Sequence, residues 1–473
     1  MNLQFLGHNA WLAGTSSLGP SLAVDPLLLD DFGFGPDRPF LVHPPRRIYR
    51  SLVERIGAVL LTHEHSDHVD LASLRMLPRE TCVFMGPLMP AWIERAVCEL
   101  GLRVLRLEFN TTVEVCGLFL RLYPCSPQTA FWEQRVSQFL ISSTPTFLDS
   151  AFSAVDAVVS DQFLAEITAG AIPAPSAVLV SNNSSVRAGK GSALGSDSRA
   201  REWRGHKVTG VSILHELLDV FPAAIPGSPA IVLCGGGFCR RGELLQWPFA
   251  CQWDLAGIAT ELTVKQVFGP LPGQRLCLEH RGIRLVDDDA NEVSVDQPYA
   301  HVAGAPGSVS KLEEAALDSA TTGLQGSDDS GLIARCERAL SELETAILCS
   351  GIADYWWLMR ARGIHRPFGF VCEFVRRPCR QGTRYALDME EAKFVRVRSA
   401  DADLPVCELA AFGIAVEPQS LLDLVNGRRQ IWDLVGDELD SWHPDMPLES
   451  PVALLYALFG EQVRGDLASA LCS

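Results

Sequence analysis

Three histidines and an aspartate lie within six positions in the segment LLTHEHSDHVD, residues 60–70. They are His63, His65, Asp67 and His68, in a chain that holds 11 histidines among 473 residues. Imidazole and carboxylate groups together suit zinc, iron or manganese, and two adjacent ions can lower the pKa of a bridging water. The segment therefore predicts a site for two divalent metal ions, with Asp67 also a candidate catalytic residue.

The local structure expected around this segment would let the side chains converge. The apolar run AVLL before Thr62 predicts a strand, and residues two apart on a strand point the same way. His63 and His65 can therefore reach one ion, while Asp67 and His68, at the turn into the next helix, can reach a second. The other interpretation is a polar helix cap with unrelated histidines, in which Asp67 is the N-cap.

The first part of the chain alternates strand-like and helical stretches up to about residue 265. The strand candidates include LQFLG, SLAVDP, AVLLTH, LFLRLYP, SQFLIS, AVVSD, AVLVSN and AIVLCGG. Strands and helices interleaved in this way indicate a layered α/β domain. This domain must supply the strand ends that position the histidines.

A second domain is indicated beyond a polar, glycine-rich stretch at residues 303–331. An amphipathic helix, a tryptophan-rich segment and strand-like runs such as GFVCEFVRR follow it. We therefore divide the chain into a metal-binding domain at 1–300, a linker at 301–332 and a smaller α+β domain at 333–473.

Composition excludes some classes of partner. Lysine and arginine number 40 against 57 aspartates and glutamates, and the formal charge of −17 argues against nucleic acid as a general partner. No apolar run reaches the roughly 18 residues that cross a bilayer, and the first residues lack the features of a secretion signal. The 14 cysteines form no CxxC pair. We expect a cytoplasmic protein with no membrane span, and the sequence indicates no oligomeric state.

The segment THEHSDHVD resembles the HxHxDH signature of the metallo-β-lactamase superfamily. FLGHNAWLAG, SLAVDP, HPPRR and AVLLTH follow in the order seen in its UlaG-like lactonase and N-acyl-phosphatidylethanolamine phospholipase branches. The resemblance covers residues 1–160 and extends more weakly to 265. It implies an αββα sandwich with the metals at one edge, between the two sheets.

The resemblance also implies roles for individual residues. His63 and His65 would bind the first metal, and Asp67 and His68 the second. Asp25, before Pro26, resembles an acid that supports the metal loop, although a turn at the end of a strand explains an Asp-Pro pair equally well. His8 would lie near the site, or would be a histidine at a strand end that bonds to backbone.

The later ligands depart from the superfamily pattern. A third histidine for the first metal usually follows 60 to 90 residues downstream, but no histidine lies between His68 and His206. The segment LRLYPCSPQTAFWEQRVSQFL offers Cys125 and Glu133 instead. A carboxylate there tolerates iron or manganese, whereas a thiolate favours zinc.

The remaining ligands have several candidates. The acid that bridges the two metals should follow a strand, which nominates Asp149, with Asp161 as the alternative; either residue could instead be a helix cap or turn residue. The last histidine would be His206 or His215, although His215 lies on an apolar helical pattern that is typical of packed residues.

Three functions are compatible with these residues. The first is a metal-dependent hydrolase of an ester, lactone, amide or phosphodiester, present either as a small molecule or bound to a carrier. It would use two divalent ions, of which zinc is the leading candidate and iron or manganese the alternatives. The second is a dinuclear iron oxygenase on the same fold, which the replacement of a histidine by Glu133 would suit. The third is a non-catalytic scaffold that keeps a degenerate metal site.

Overall fold

The structure is a computed structural model, and the described residues fall into two compact units, one within residues 1–309 and one within 310–470. The structure describes residues 1–16, 19–33, 38, 40–129, 133–182, 201–203, 206–208, 225, 227–235, 238–240, 252–262, 266–279, 282–287, 292–295, 329–348, 351–361, 363, 365–375, 382–397, 406–426, 429, 434 and 439–442. Residues 301–328 of the predicted linker lie outside these ranges, and residues 329–332 belong to a helix.

The first unit contains strands that run from the first residues to residue 295. The strands are β1 (Asn2–Gly7), β2 (Ala10–Gly14), β3 (Ser21–Val24), β4 (Asp31–Phe32), β5 (Phe40–Val42), β6 (Arg46–Ile48), β7 (Ile56–Leu61), β8 (Cys82–Met85), β9 (Arg103–Arg106), β10 (Thr112–Val115), β11 (Leu118–Pro124), β12 (Ser137–Ser142), β13 (Ala151–Ser153), β14 (Ala177–Val180), β15 (Arg201–Trp203), β16 (His206–Val208), β17 (Ala230–Leu233), β18 (Phe238–Arg240), β19 (Val267–Phe268), β20 (Arg275–Glu279), β21 (Gly282–Val286) and β22 (Val293–Val295). The helices are α1 (Arg50–Glu54), α2 (Leu71–Arg75), α3 (Ala91–Glu99), α4 (Asp161–Thr168) and α5 (Gln252–Leu262).

Two large sheets organise the first unit. One has the strand order β21-β20-β1-β2-β3-β7-β8-β9, and the other has the order β10-β11-β12-β13-β14-β17-β19. Alternate apolar residues of both sheets, among them Phe5 and Leu60 of the first and Leu120 and Leu179 of the second, form one buried core between them. This alternation is the period-2 pattern of strands with one face in the core.

Helices cover the outer faces of the two sheets. Phe163 of α4 and Leu255 and Ala259 of α5 share a second buried cluster with Phe152 and Val178 of the second sheet. On the first sheet, α3 contacts β9 and α1 contacts β7. The predicted α/β class and the αββα sandwich are therefore confirmed. Among the described residues, no helix is both long and apolar enough to span a membrane.

The carboxyl ends of parallel strands meet at one edge of the sandwich. In the first sheet β3, β7, β8 and β9 are parallel, and in the second β13, β14, β17 and β19 are parallel. Loops that follow such ends are the usual place for polar and ligand-binding side chains in α/β sheets. Asp25 follows β3, the His63 segment follows β7 and Asp156 follows β13, so this edge gathers the titratable residues.

The second unit has one five-stranded sheet with helices. Its elements are α6 (Asp329–Leu348), α7 (Gly351–Ala361), β23 (Phe368–Val375), β24 (Gly382–Asp388), β25 (Lys393–Arg396), α8 (Val406–Leu409), β26 (Ala410–Val416), α9 (Pro418–Val425) and β27 (Leu439–Trp442). The strand order is β25-β24-β23-β26-β27, in which β23 and β26 are parallel and the other pairs antiparallel. Phe370 and Phe412 are buried in its core.

A tight turn after β1 brings His8 to the edge that carries the histidines. Gly7 has a φ of +113°, and a Cβ placed on it would lie 2.8 Å from Val42 Cγ1 and 3.0 Å from Arg46 Nε. The buried Arg46 side chain donates hydrogen bonds to the carbonyl oxygens of Leu6 and Leu27 at 2.7 and 2.6 Å. The turn therefore requires glycine for both its conformation and its close contacts.

The close approach at Gly7 predicts a loss of stability on substitution. Gly7→Ala should lower the free energy of unfolding by about 3 kcal/mol, because backbone strain adds to the clash of the new Cβ with Val42 and Arg46. Gly101→Ala is the matched control, since Gly101 also has a positive φ, +82°, but nothing within 4 Å of an added Cβ. It should cost about 1 kcal/mol. Urea unfolding of both variants measures the difference, and equal losses would contradict the role of the contacts.

Candidate metal centre

The HxHxDH segment begins directly where β7 ends, at Leu61. His63 and His65 are both buried, and His63 Nε2 lies 3.2 Å from His65 Nδ1, so the two rings converge as the spacing predicts. The helix that follows is capped by Asp70, whose carboxylate accepts the N–H of Ser73 at 3.0 Å. Asp67 is therefore not the N-cap, and the helix-cap interpretation of this segment is wrong.

His63 and His65 form a first group with Glu133. Glu133 Oε2 lies 3.7 Å from His63 Nε2 and 3.5 Å from His65 Nδ1, and one ligand atom from each residue lies within 4.8 Å of the others. This oxygen is buried and has no hydrogen-bond partner among the described residues. Burial, together with the charges of Asp156 and Asp67, raises the pKa of Glu133 well above its usual range. A cation would satisfy both the oxygen and its charge, so the group fits a metal.

The alternative ligand, Cys125, has a different place. Its Sγ lies 3.7 Å and 3.5 Å from the carbonyl oxygens of Glu133 and Gln134, so its thiol contacts the backbone of the turn that carries Glu133. Burial raises the pKa of Cys125, which keeps the group a neutral thiol. Of the two candidates for the missing histidine, the structure therefore brings Glu133 to His63 and His65, and gives Cys125 contacts with the backbone.

A second group consists of His63, His68 and Asp156. Asp156 Oδ2 lies 2.9 Å from His68 Nε2 and 4.0 Å from His63 Nε2, so one carboxylate reaches both groups. Asp67 Oδ2 lies 3.5 Å from His68 Nε2, at the side of this group. Asp156 is therefore placed where a residue bridging two adjacent ions would stand.

Asp25 orients His68 of the second group through contacts with Thr62 and with the His68 ring. Its Oδ1 accepts the N–H of Thr62 at 2.8 Å, and its Oδ2 accepts the Thr62 hydroxyl at 2.6 Å and lies 2.7 Å from His68 Nδ1. Burial would lower the pKa of His68, but Asp67, Asp25 and Asp156 together raise it well above its usual value. The same negative charges that favour a proton on His68 favour a cation beside it. Asp25 has the supporting position that the resemblance implies.

His8 lies beside the second group. Its Nε2 is 2.8 Å from Asp67 Oδ2, and its ring is fully buried and stacked on Phe32 at 5.9 Å. The Asn9 amide nitrogen lies 3.3 Å from Nε2 of both His8 and His68. Burial would raise the pKa of Asp67, but the charges and contacts of His68 and His8 lower it well below the usual range.

The expectation that Asp149 bridges the metals needs correction. Ser142 and Ser143 donate their hydroxyls to its carboxylate, the first at 2.6 Å, and the amino group of Met1 lies 3.4 Å away. Asp149 precedes β13, whereas the histidines stand at the edge reached by the carboxyl end of that strand. The alternative, Asp161, is the first residue of α4 and accepts the Ser126 hydroxyl at 3.2 Å. Neither residue is in the two groups.

Sequence reasoning missed Asp156, and the features that this residue shares with Asp25 become visible only in the structure. Asp25 and Asp156 both come after short buried strands, and both have positive φ, 44° and 54°. An acid just past a strand, on a tight turn, is the shared pattern. Of the two candidates for the last histidine, the side chain of His206 and all of His215 lie outside the described residues.

The match to a family model agrees with this architecture. Residues 2–137 match the model described as "Beta-lactamase superfamily domain". This part of the chain has the metallo-β-lactamase fold. Its HxHxDH segment and Glu133 both lie inside the matched range, and Asp156 follows it. A search of curated protein sequences gave no match.

Solved structures with a similar course of the chain include enzymes of different classes. An isothiocyanate hydrolase from Delia radicum gut bacteria is 16% identical over 59% of this chain and 100% of its own, with a TM-score of 0.38. A possible metal-dependent hydrolase from Veillonella parvula is 13% identical over 59% of this chain and 99% of its own, with a TM-score of 0.39. CmlA, a diiron β-hydroxylase from Streptomyces venezuelae, is 15% identical over 60% of this chain and 54% of its own, with a TM-score of 0.36.

The two candidates for the third ligand can be separated by mutation. Glu133→Gln removes the charge of a carboxylate oxygen that faces His63 and His65, and should weaken metal binding by more than about 100-fold, the upper range for residues outside the ligand shell. Cys125→Ser keeps a small hydroxyl donor at the turn and should leave metal affinity near that of the native protein. Competition against a chromogenic chelator measures both. A larger loss of metal affinity in Cys125→Ser than in Glu133→Gln would identify the Cys125 thiol as the third ligand.

The placement of the two aspartates gives a second comparison. Asp156→Asn should reduce the number of ions held per chain, because it removes the charge shared by the two groups. Asp149→Asn should hold as many ions as the native protein, since its carboxylate contacts Ser142, Ser143 and the amino group of Met1. Elemental analysis after dialysis gives the stoichiometry. The same loss of metal in both variants would contradict the assignment.

Proposed function

We propose that the chain is a metal-dependent hydrolase in which His63, His65 and Glu133 hold one divalent ion and Asp67, His68 and Asp156 hold a second, with zinc the first choice of metal. The observation that carries this proposal is the position of Asp156 Oδ2, 2.9 Å from His68 Nε2 and 4.0 Å from His63 Nε2. Because this one carboxylate lies close to both groups, ions bound by the two groups would be neighbours. The order of FLGHNAWLAG, SLAVDP and HPPRR supports a place in the UlaG-like branch.

The residues around the ions would each have a task. Two adjacent divalent ions, when bound, lower the pKa of a shared water and polarise a substrate oxygen. Asp67 has the most exposed side chain of the carboxylates near His68, at 23%, and its Oδ2 contacts His8 Nε2. His8 would orient that carboxylate as a ligand of the second ion, while Asp25 keeps His68 in place. Esters, lactones, amides and phosphodiesters, free or carrier-bound, are the substrate classes that suit this chemistry.

A second candidate function follows from the ligand types of the first group. Two histidines and one carboxylate form the set that is typical of non-haem iron oxygenases. Glu133 provides that carboxylate beside His63 and His65. An iron-dependent oxygenase on the same fold is therefore the alternative, and the metal that the protein retains distinguishes the two.

Metal content is the experiment that tests the proposal. Protein purified without added metal should contain close to two zinc or manganese ions per chain, and His65→Ala should lose metal. Hydrolysis of a panel of esters, lactones and phosphodiesters should then depend on those ions. Two iron ions with an absorbance that responds to oxygen would favour the oxygenase. A protein that holds no metal would be a scaffold, and both enzymatic proposals would fail.

Loss of single ligands should remove activity without unfolding the first unit. His63→Ala and Asp67→Ala should each reduce turnover to background, because each removes a ligand of a metal ion. The first unit should stay folded, because the ligand atoms lie outside the core between the two sheets. Near-ultraviolet circular dichroism should be unchanged. His365→Ala is the control, since this exposed histidine lies in the second unit. Turnover that survives both ligand substitutions would exclude catalysis at this site.

A further inference from the structure

A partly buried ion pair involves a residue inside the HxHxDH segment. Glu64 stands between His63 and His65 in the sequence, and its side chain is only 4% exposed. Arg135 Nε and Nη2 lie 2.6 and 2.5 Å from Glu64 Oε1. Arg135 is two residues beyond Glu133. The pair therefore joins the two segments that carry the first group of ligands.

A backbone hydrogen bond joins the same two segments. The N–H of Ser137 donates to the carbonyl oxygen of Thr62 at 3.0 Å, and the N–H of Val136 closes the turn on the carbonyl oxygen of Glu133 at 3.1 Å. The Glu133 carboxylate oxygen that faces the histidines has no hydrogen bond of its own among the described residues. The position of that oxygen therefore depends on how the turn at 133–137 is attached.

We propose that Arg135 and Glu64 are positioning residues, which fix the Glu133 carboxylate opposite His63 and His65 and so set the affinity of the first group for its metal. The inference rests on the proposed function in one respect, namely that this group holds a metal. The guanidinium group of arginine is rigid and planar, which fixes the direction of its hydrogen bonds to a carboxylate. Removing the partner of a buried carboxylate is strongly destabilising, because the charge is left unpaired. The pair can thus hold two irregular segments in one arrangement.

A purely electrostatic role for Arg135 predicts the opposite change in metal affinity, so the two roles can be distinguished by experiment. The positive charge of Arg135 repels a cation nearby: after burial, His68 and His65, it contributes to lowering the pKa of His63. If Arg135 acted only by its charge, removing the charge would strengthen metal binding. If Arg135 positions Glu133, removing it weakens metal binding. The sign of the change separates the two roles.

The test is metal affinity, measured by chelator competition on the full chain with zinc as the probe. Arg135→Met and Glu64→Gln should each weaken binding by about 10- to 100-fold, the usual effect of losing a partner outside the ligand shell. The double variant, which removes both charges of the pair, should fold best and should bind zinc no more weakly than the weaker-binding single variant. Arg135→Lys should recover part of the loss.

Arg121→Met is the matched control. Arg121 pairs with Glu166 at 2.8 Å in the same unit, and its side chain is 22% exposed against 28% for Arg135. Neither partner joins the two ligand segments, so metal affinity should not change. Native affinity in Arg135→Met and in the double variant, tighter binding in Arg135→Met, or an equal loss in Arg121→Met would overturn the proposal.

A second measurement does not need a bound metal. Hydrogen exchange in metal-free protein should show faster exchange at residues 133–137 in Arg135→Met and in the double variant, and native exchange there in Arg121→Met. Unchanged exchange in both former variants would overturn the positioning role. If the native protein binds zinc and Arg135→Met binds it weakly, but no substrate is hydrolysed, the proposed function fails and the positioning pair stands. If the native protein binds no zinc, the proposed function and the effect on affinity both fail, and exchange alone decides the positioning.

Discussion

The contact between Asp25 and the segment after β7 is the interaction on which the site depends. Residues 62–70 have little regular structure, so they need other partners to fix their backbone. One carboxylate provides these partners, because it accepts the N–H and the hydroxyl of Thr62 and faces Nδ1 of His68. The conformation of Asp25, with a φ of 44°, aims the carboxylate past the end of β3 toward the neighbouring parallel strand. The positions of the ligand side chains in the HxHxDH segment depend on this contact.

The charge balance of the site explains why it is a poor stabiliser of the fold and a good site for cations. Glu133, Asp156 and Asp25 are buried close to three histidines, and burying several carboxylates without full compensation is costly. Burial and neighbouring acids raise the pKa of Glu133, while the acids around His68 raise the pKa of that histidine. Burial is the largest cause of the pKa shift of Glu133, and the acids gathered here add to both shifts. A core built for stability would place apolar residues here.

The sequence predicted the parts of the site that depend on local geometry. The convergence of His63 and His65 was predicted from a strand that in fact ends at Leu61, two residues before His63, and Glu133 was one of two candidates in the right segment. The error at Asp149 has a topological cause. Asp149 and Asp156 lie on either side of β13, and antiparallel pairing of β12 with β13 places the residues before β13 at the far edge. Nothing in the local sequence tells which end of a three-residue strand faces the histidines.

A glutamate at position 133, where the superfamily pattern has a histidine, would change the charge of the proposed site. If two divalent ions bind as proposed, they carry four positive charges, and the ligand carboxylates of Glu133, Asp67 and Asp156 would remove three of them and leave plus one. A histidine in place of Glu133 would leave plus two. A smaller positive charge lowers the pKa of a coordinated water less, but it better tolerates an ion that becomes trivalent. The turn that Arg135 attaches to Glu64 therefore carries the residue whose charge would bear most directly on the choice between the two proposed activities.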